Sequence, residues 1–102
     1  MIPVFVAEIA GRPVMALNAE AEDAALAVLS EPGVRFDLQQ YKVAGAPVWN
    51  GLDAIALRPP EPAERAMWEA AFQEAVAKTG AALDEAARET WICFLIGVAP
   101  PA

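Results

Sequence analysis

The chain has 102 residues, 14 acidic against 7 basic side chains for a formal net charge of −7, and 57% hydrophobic residues, enough apolar material for one core in one domain. It contains no histidine, which excludes Ser-His-Asp and Cys-His triads, Cys₂His₂ zinc sites and an imidazole pH switch. The acidic balance argues against sequence-independent nucleic-acid binding, which rests on a basic surface.

Residues 4–9 and 14–17 are β-prone runs separated by Ala10-Gly11-Arg12-Pro13. Gly11 can supply a positive φ, and Pro13, lacking a donor, belongs at a strand start or an edge, so this segment reads as a β-hairpin. Asn18 follows in the position of a helix N-cap, with Glu20, Glu22 and Asp23 in the first turns, where negative charge complements the helix dipole. Leu26 and Leu29, with Ala25 and Val28, form that helix's apolar stripe, and Ser30-Glu31-Pro32-Gly33 ends it, because a residue before proline is pushed out of the α region. Val34, Leu38 and Tyr41, at i, i+4 and i+7, predict a short second helix over 34–41.

The stretch 44–47 reads as a loop, and Asn50-Gly51 as a tight turn. That turn either joins two short strands or puts a bulge in front of one longer strand over 52–58, with Ile55 and Leu57 on one face. Pro59-Pro60-Glu61 stops the strand, and Pro62 suits the first position of a helix, where its missing N–H costs nothing. Trp68, Ala71, Phe72, Ala75 and Val76 recur at helical spacing, and Gly80 is the C-terminal stop. Residues 81–89 predict a further helical turn or two, with Asp84 and Arg88 paired at i, i+4. Residues 90–98 read as a strand apolar on both faces, a pattern that belongs in the middle of a sheet. The tail 99–102 is expected to fray.

The order β-β-α-(α)-β-α-β predicts a single α+β domain over 1–102, with a mostly antiparallel four-stranded sheet and helices packed on one face. Such an arrangement leaves the second sheet face to be covered by the short second helix, by a partner chain or by a ligand.

With histidine absent, carboxylates are the first candidates for chemistry. Glu20, Glu22 and Asp23 could bind a divalent metal through oxygen ligands, but acids in a first helical turn are accounted for by the dipole, and no metal site is assigned. Asp53, after a turn and before apolar residues, is a candidate for partial burial and a raised pKa; Glu8 is a second carboxylate and Arg58 a positioning cation. Such charges also serve to protect sheet edges. Cys93, the single cysteine, lies between Ile92 and Phe94 and reads as a buried, inert thiol in a chain suited to a reducing compartment. Phosphate-cradling glycine motifs are lacking. Among the tryptophans, Trp68 and Trp91 read as structural, whereas Trp49 adjoins a turn, where an exposed ring would be an interface anchor.

The first functional reading is therefore a non-enzymatic association module, most simply a homodimer acting as an adaptor or regulatory subunit, with Trp49, Trp91, Phe94 and Ile96 as partner-binding residues and no catalytic residue or cofactor. The alternative is a small-molecule-binding domain or minor enzyme whose pocket, between sheet and helices, uses Asp53 and Arg58. Residues 1–8 lack the basic start of a signal peptide, and the apolar run 91–99 is about half the ~18–20 residues a membrane helix needs, so a cytoplasmic location is expected.

Overall fold

The computed structural model describes residues 2–80, 82–86 and 89–96. Strand β1 (Val4–Ile9) turns through Ala10 and Gly11, at φ 54° and 78°, into β2 (Arg12–Asn18). Two successive positive φ values match the right-handed twist of the flanking strands, which is why this hairpin closes so tightly. Ala7 pairs with Met15 but Glu8 pairs with Pro13, so Val14 is the extra residue of a β-bulge. The bulge accommodates the missing donor of Pro13.

Helices α1 (Glu22–Leu29) and α2 (Pro32–Gln40) follow, then a ribbon of two-residue strands, β3 (Lys42–Val43) and β4 (Ala46–Pro47), turning through Ala44 and Gly45. Strand β5 (Ile55–Arg58) leads to the long helix α3 (Pro62–Thr79), then α4 (Leu83–Ala86) and β6 (Ile92–Phe94). The α+β class and the four-stranded antiparallel sheet stand as the sequence predicts, with strand order β5-β1-β2-β6. Pro62 opens α3, and Gly80 closes it at φ 73° with its N–H donated to the Val76 carbonyl.

The helices do not share one face. Ala7, Ile9, Met15 and Leu17 pack with Ala25 and Leu29 of α1, Leu38 of α2, and Val48 and Trp49. Val4, Val6 and Ala16 point the other way and pack with Trp68, Phe72 and Val76 of α3. Side chains alternate across a strand, so a sheet covered on both sides needs apolar residues at every position of its inner strands; this accounts for the unbroken apolar run of β2. The second face is thus covered by the chain's own helices.

Strand β6 is also corrected: among the described residues it lies at an edge of the sheet, and the middle positions belong to β1 and β2. Its two-sided apolar character follows from having a helical layer on each side, since Trp91, Cys93 and Leu95 pack with the α3 layer and Phe94 and Ile96 with the α1–α2 layer. Asn18 is not a helix cap; Ala21 precedes α1, and Asn18 is the last residue of β2, 2% exposed. The strand predicted over 52–58 begins only at Ile55, because the segment before it is held as a turn. The Asp84–Arg88 side-chain pair and the stretch 97–102 lie outside the described residues. Among the described residues, no helix is long and apolar enough to cross a membrane.

Candidate functional site

The residues singled out from the sequence fall into three separate places. Arg58 ends β5 on the α3 side of the sheet, where it meets Glu8 of β1 and Glu64 in the first turn of α3. Its Nε donates to Glu8 Oε2 at 2.9 Å, and its two terminal nitrogens donate to the two Glu64 oxygens at 2.7 Å each. A fourth hydrogen bond runs from Nη1 to the Pro59 carbonyl at 3.0 Å. A fork of this kind is the strongest geometry open to a guanidinium and a carboxylate. It holds the Glu64 carboxyl below its usual range, and Glu64 Oε1 also accepts the Glu61 N–H at 2.8 Å, closing the start of α3. With its donors engaged in this way, Arg58 is a clamp between two strands and a helix. Glu64, which the sequence analysis does not single out, is its principal partner; a Glu three residues after Glu61, at a proline-led helix start, is the signal that points to it.

Asp53 lies elsewhere. Asn50 Oδ1 accepts the backbone N–H groups of Leu52 and Asp53 at 2.8 Å each, while the Asn50 amide donates to Asp53 Oδ2 at 3.1 Å. This Asx turn leaves the Asp53 side chain exposed, not partly buried. It borders a cavity of about 320 Å³ shared with Arg12, Val14, Val43 and Val48, and Arg58 is not among its lining. Asp53 and Arg58 therefore do not converge on one pocket.

Trp49 is corrected as well. It is 6% exposed, folded back over the core, with its indole N–H donated to the Asp53 carbonyl at 2.7 Å and the Arg35 guanidinium 5.1 Å from its ring centre. Its backbone N–H is taken by the Leu38 carbonyl at the end of α2. A ring beside a turn is exposed only if the turn projects; this turn lies against α2.

The remaining residues cluster along β6. Trp91 is half-buried: its indole donates to the Ala86 carbonyl at 2.8 Å, its own carbonyl accepts the Trp68 indole at 2.9 Å, and it meets Phe72 edge-on at 5.9 Å. These bonds make it a structural pin. Cys93 is half-buried on the same side, its thiol pushed up by burial. Phe94 lies 5.7 Å from Tyr41. With Met15, Val34, Leu38 and Ile92 these two rings line an apolar groove of about 190 Å³ between α2 and the sheet edge, with Asp37 at its margin. Ile92 is 39% exposed there.

The two edges of the sheet are built differently. The β5 edge ends in the ion-paired Arg58 and then Pro59 and Pro60, devices that discourage further pairing. The segment 90–96 at the β6 edge has neither a charge nor a proline. The Leu95 N–H is donated to Val14 and the Trp91 N–H to the Asn18 side chain, so these residues aim at β2 and the backbone groups of Ile92 and Phe94 aim outward.

Among the described residues there is no group of three His, Cys, Asp or Glu side chains able to hold a metal ion. Glu20, Glu22 and Asp23 are exposed at the start of α1. Comparison of this chain with protein families, with characterised proteins and with solved structures finds no match in any of the three.

Proposed function

We propose that this domain is a non-enzymatic association module whose contact is the outer edge of β6, taking an extended protein segment as an added strand. The observation that carries the reading is the contrast between the sheet's two edges: β5 is guarded by Arg58 and prolines, whereas β6 offers outward backbone groups flanked by Ile92, Cys93 and Phe94. Strand addition draws its affinity from main-chain hydrogen bonds and its selectivity from pockets for alternate side chains. The groove beside Ile92 and Phe94 is such a pocket; an apolar cavity of roughly 150 Å³ holds a benzene ring, and this one is about 190 Å³.

The alternative reading, a ligand pocket built on Asp53 and Arg58, has no support from the geometry, because the two side chains are engaged in separate clusters.

The test is binding of a lysine-flanked, fluorescently labelled peptide copying residues 90–96. Saturable binding to the wild type, lost in Ile92→Lys with the fold intact by circular dichroism, is expected. No binding to the wild type, or equal binding to the variant, overturns the reading.

A further inference from the structure

We infer that the Asn50-Gly51 turn is a self-modification site: it closes a succinimide at Asn50, with the Leu52 and Asp53 amides as an oxyanion hole, and water opens the ring to aspartate or isoaspartate. Neither residue belongs to the β6 edge, so this chemistry stands apart from strand addition.

The turn brings the reacting groups together. Gly51 N follows Asn50 in the chain, so its attack on Asn50 Cγ closes a five-membered ring and avoids the entropy of a bimolecular encounter. Gly51 has no Cβ to obstruct that approach, and Asn50 is exposed to the water that the second step consumes. Asn50 Oδ1 accepts the Leu52 and Asp53 N–H groups at 2.8 Å each. As Cγ becomes tetrahedral, Oδ1 takes on negative charge and both bonds strengthen. Hydrogen bonds accelerate a reaction only when they gain strength in this way between ground state and transition state. The leaving nitrogen has a partner as well. Asn50 Nδ2 donates to Asp53 Oδ2 at 3.1 Å, and the carboxylate stabilises the positive charge that this nitrogen acquires on departure.

Gly51 N gives its proton to solvent as it bonds to Cγ. The Cγ–Nδ2 bond then breaks, and Nδ2 takes up a solvent proton and leaves as ammonia beside Asp53. The net change is amide plus water to carboxyl plus ammonia, with nothing oxidised or reduced. Opening at Cγ gives aspartate; opening at the Asn50 backbone carbonyl gives isoaspartate, which lengthens the main chain by one methylene. Either product replaces the Asn50–Asp53 hydrogen bond by two facing carboxylates, in the turn whose Asp53 carbonyl holds the Trp49 indole. Modification therefore loosens the hold on Trp49.

The chain's other asparagine, Asn18, supplies an internal control, being 2% exposed and followed by Ala19.

The experiment incubates the full chain in heavy-oxygen water at mildly alkaline pH, beside an unstructured peptide copying residues 46–56. Peptide mapping reads aspartate, isoaspartate and oxygen label at each asparagine. Label at residue 50 appearing several-fold faster in the folded chain than in the peptide, with Asn18 unchanged, is expected. Asp53→Asn keeps the two backbone donors and removes the charge, so it should bring the rate down toward that of the peptide. The Leu52 and Asp53 amide signals in its NMR spectrum check that the turn stays closed; Asp53→Ser, read in the same way, replaces it if they move. A folded chain no faster than the peptide would show that the turn protects Asn50, and would overturn the inference. A wild-type rate in a closed-turn variant would overturn the role of Asp53.

Discussion

The backbone N–H of Trp91 is donated to the side-chain oxygen of Asn18 across 2.6 Å, and the Asn18 amide donates in turn to the Glu89 carbonyl at 2.9 Å. Leu17 pairs with Ile92 in the β2–β6 ladder, so Asn18 extends that ladder by one step with its side chain. Asn18 itself is 2% exposed, while its partners Glu89 and Trp91 are exposed and half-buried. Asn18→Leu is expected to lower stability by about 1–2 kcal/mol, through the loss of two part-buried hydrogen bonds. Asn18→Asp loses more at neutral pH, because a carboxylate then faces the Glu89 carbonyl. Urea unfolding reads both; an unchanged midpoint in Asn18→Leu would show that the bridge contributes nothing.

Gly51 sits at φ 84°, and a Cβ built there would lie 2.5 Å from Gln39 Nε2. Gln39 ends a flexible side chain and can withdraw, whereas the backbone angle cannot change without opening the Asn50 turn. Gly51→Ala is therefore expected to cost about 1–2 kcal/mol, with little of it recovered in a Gly51→Ala/Gln39→Ala double variant. Full recovery would assign the cost to the side-chain clash.

The Arg58 cluster makes stability fall in acid. Hydrogen bonding to Arg58 lowers the folded-state pKa of Glu64 below its usual 4.5. A depressed carboxyl contributes stability that is present above the unfolded value and lost as pH falls through the folded one. Arg58, by contrast, is raised by the same partners, and its contribution is retained throughout the neutral range. Arg58→Met leaves Glu8 and Glu64 without their cation, so the stability difference between wild type and variant should shrink as pH drops below about 4.5. A difference constant from neutral to acid pH would mean that solvent screens the cluster completely.

Cys93 reports on opening of the edge. Burial raises its thiol pKa, which lowers the thiolate fraction available to a disulfide reagent. Its reaction in the folded chain at mildly alkaline pH should be clearly slower than in urea. Equal rates folded and unfolded would mean that the β6 edge opens freely.

What was legible in the sequence was what local chemistry determines. Gly11 closes a hairpin, Pro62 and Gly80 bound α3, and Val34 and Leu38 mark the inward face of α2, although that helix begins two residues earlier than predicted, at Pro32, and leaves Tyr41 outside. What was not legible depends on residues far apart. An asparagine after a strand and before acids reads as a cap, and only the arrival of Trp91 makes Asn18 a bridge. Two-sided apolarity in 90–98 marks a strand between two layers, but periodicity carries no information on lateral position, so an edge between two helical layers looks like a centre. Arg58 and Asp53 share a strand's neighbourhood in sequence; their separation came from Glu64 on α3 and from the closure of the Asn50 turn.

Trp49 separates packing from association. Its ring rests on the core beneath Arg35, and its indole N–H is committed to the Asp53 carbonyl. Trp49→Phe keeps most of the packing and loses that bond, for a cost of about 1 kcal/mol. Trp49→Ala empties a buried ring site and should cost about 3–5 kcal/mol. Neither substitution touches β6, so once corrected for the unfolded fraction both variants should bind the 90–96 peptide as the wild type does. If Trp49→Phe weakened association while leaving stability intact, the ring would have to belong to the contact surface. The buried position of Trp49 would then need to open on binding, and the partner would engage the Asn50–Asp53 turn as well as the β6 edge.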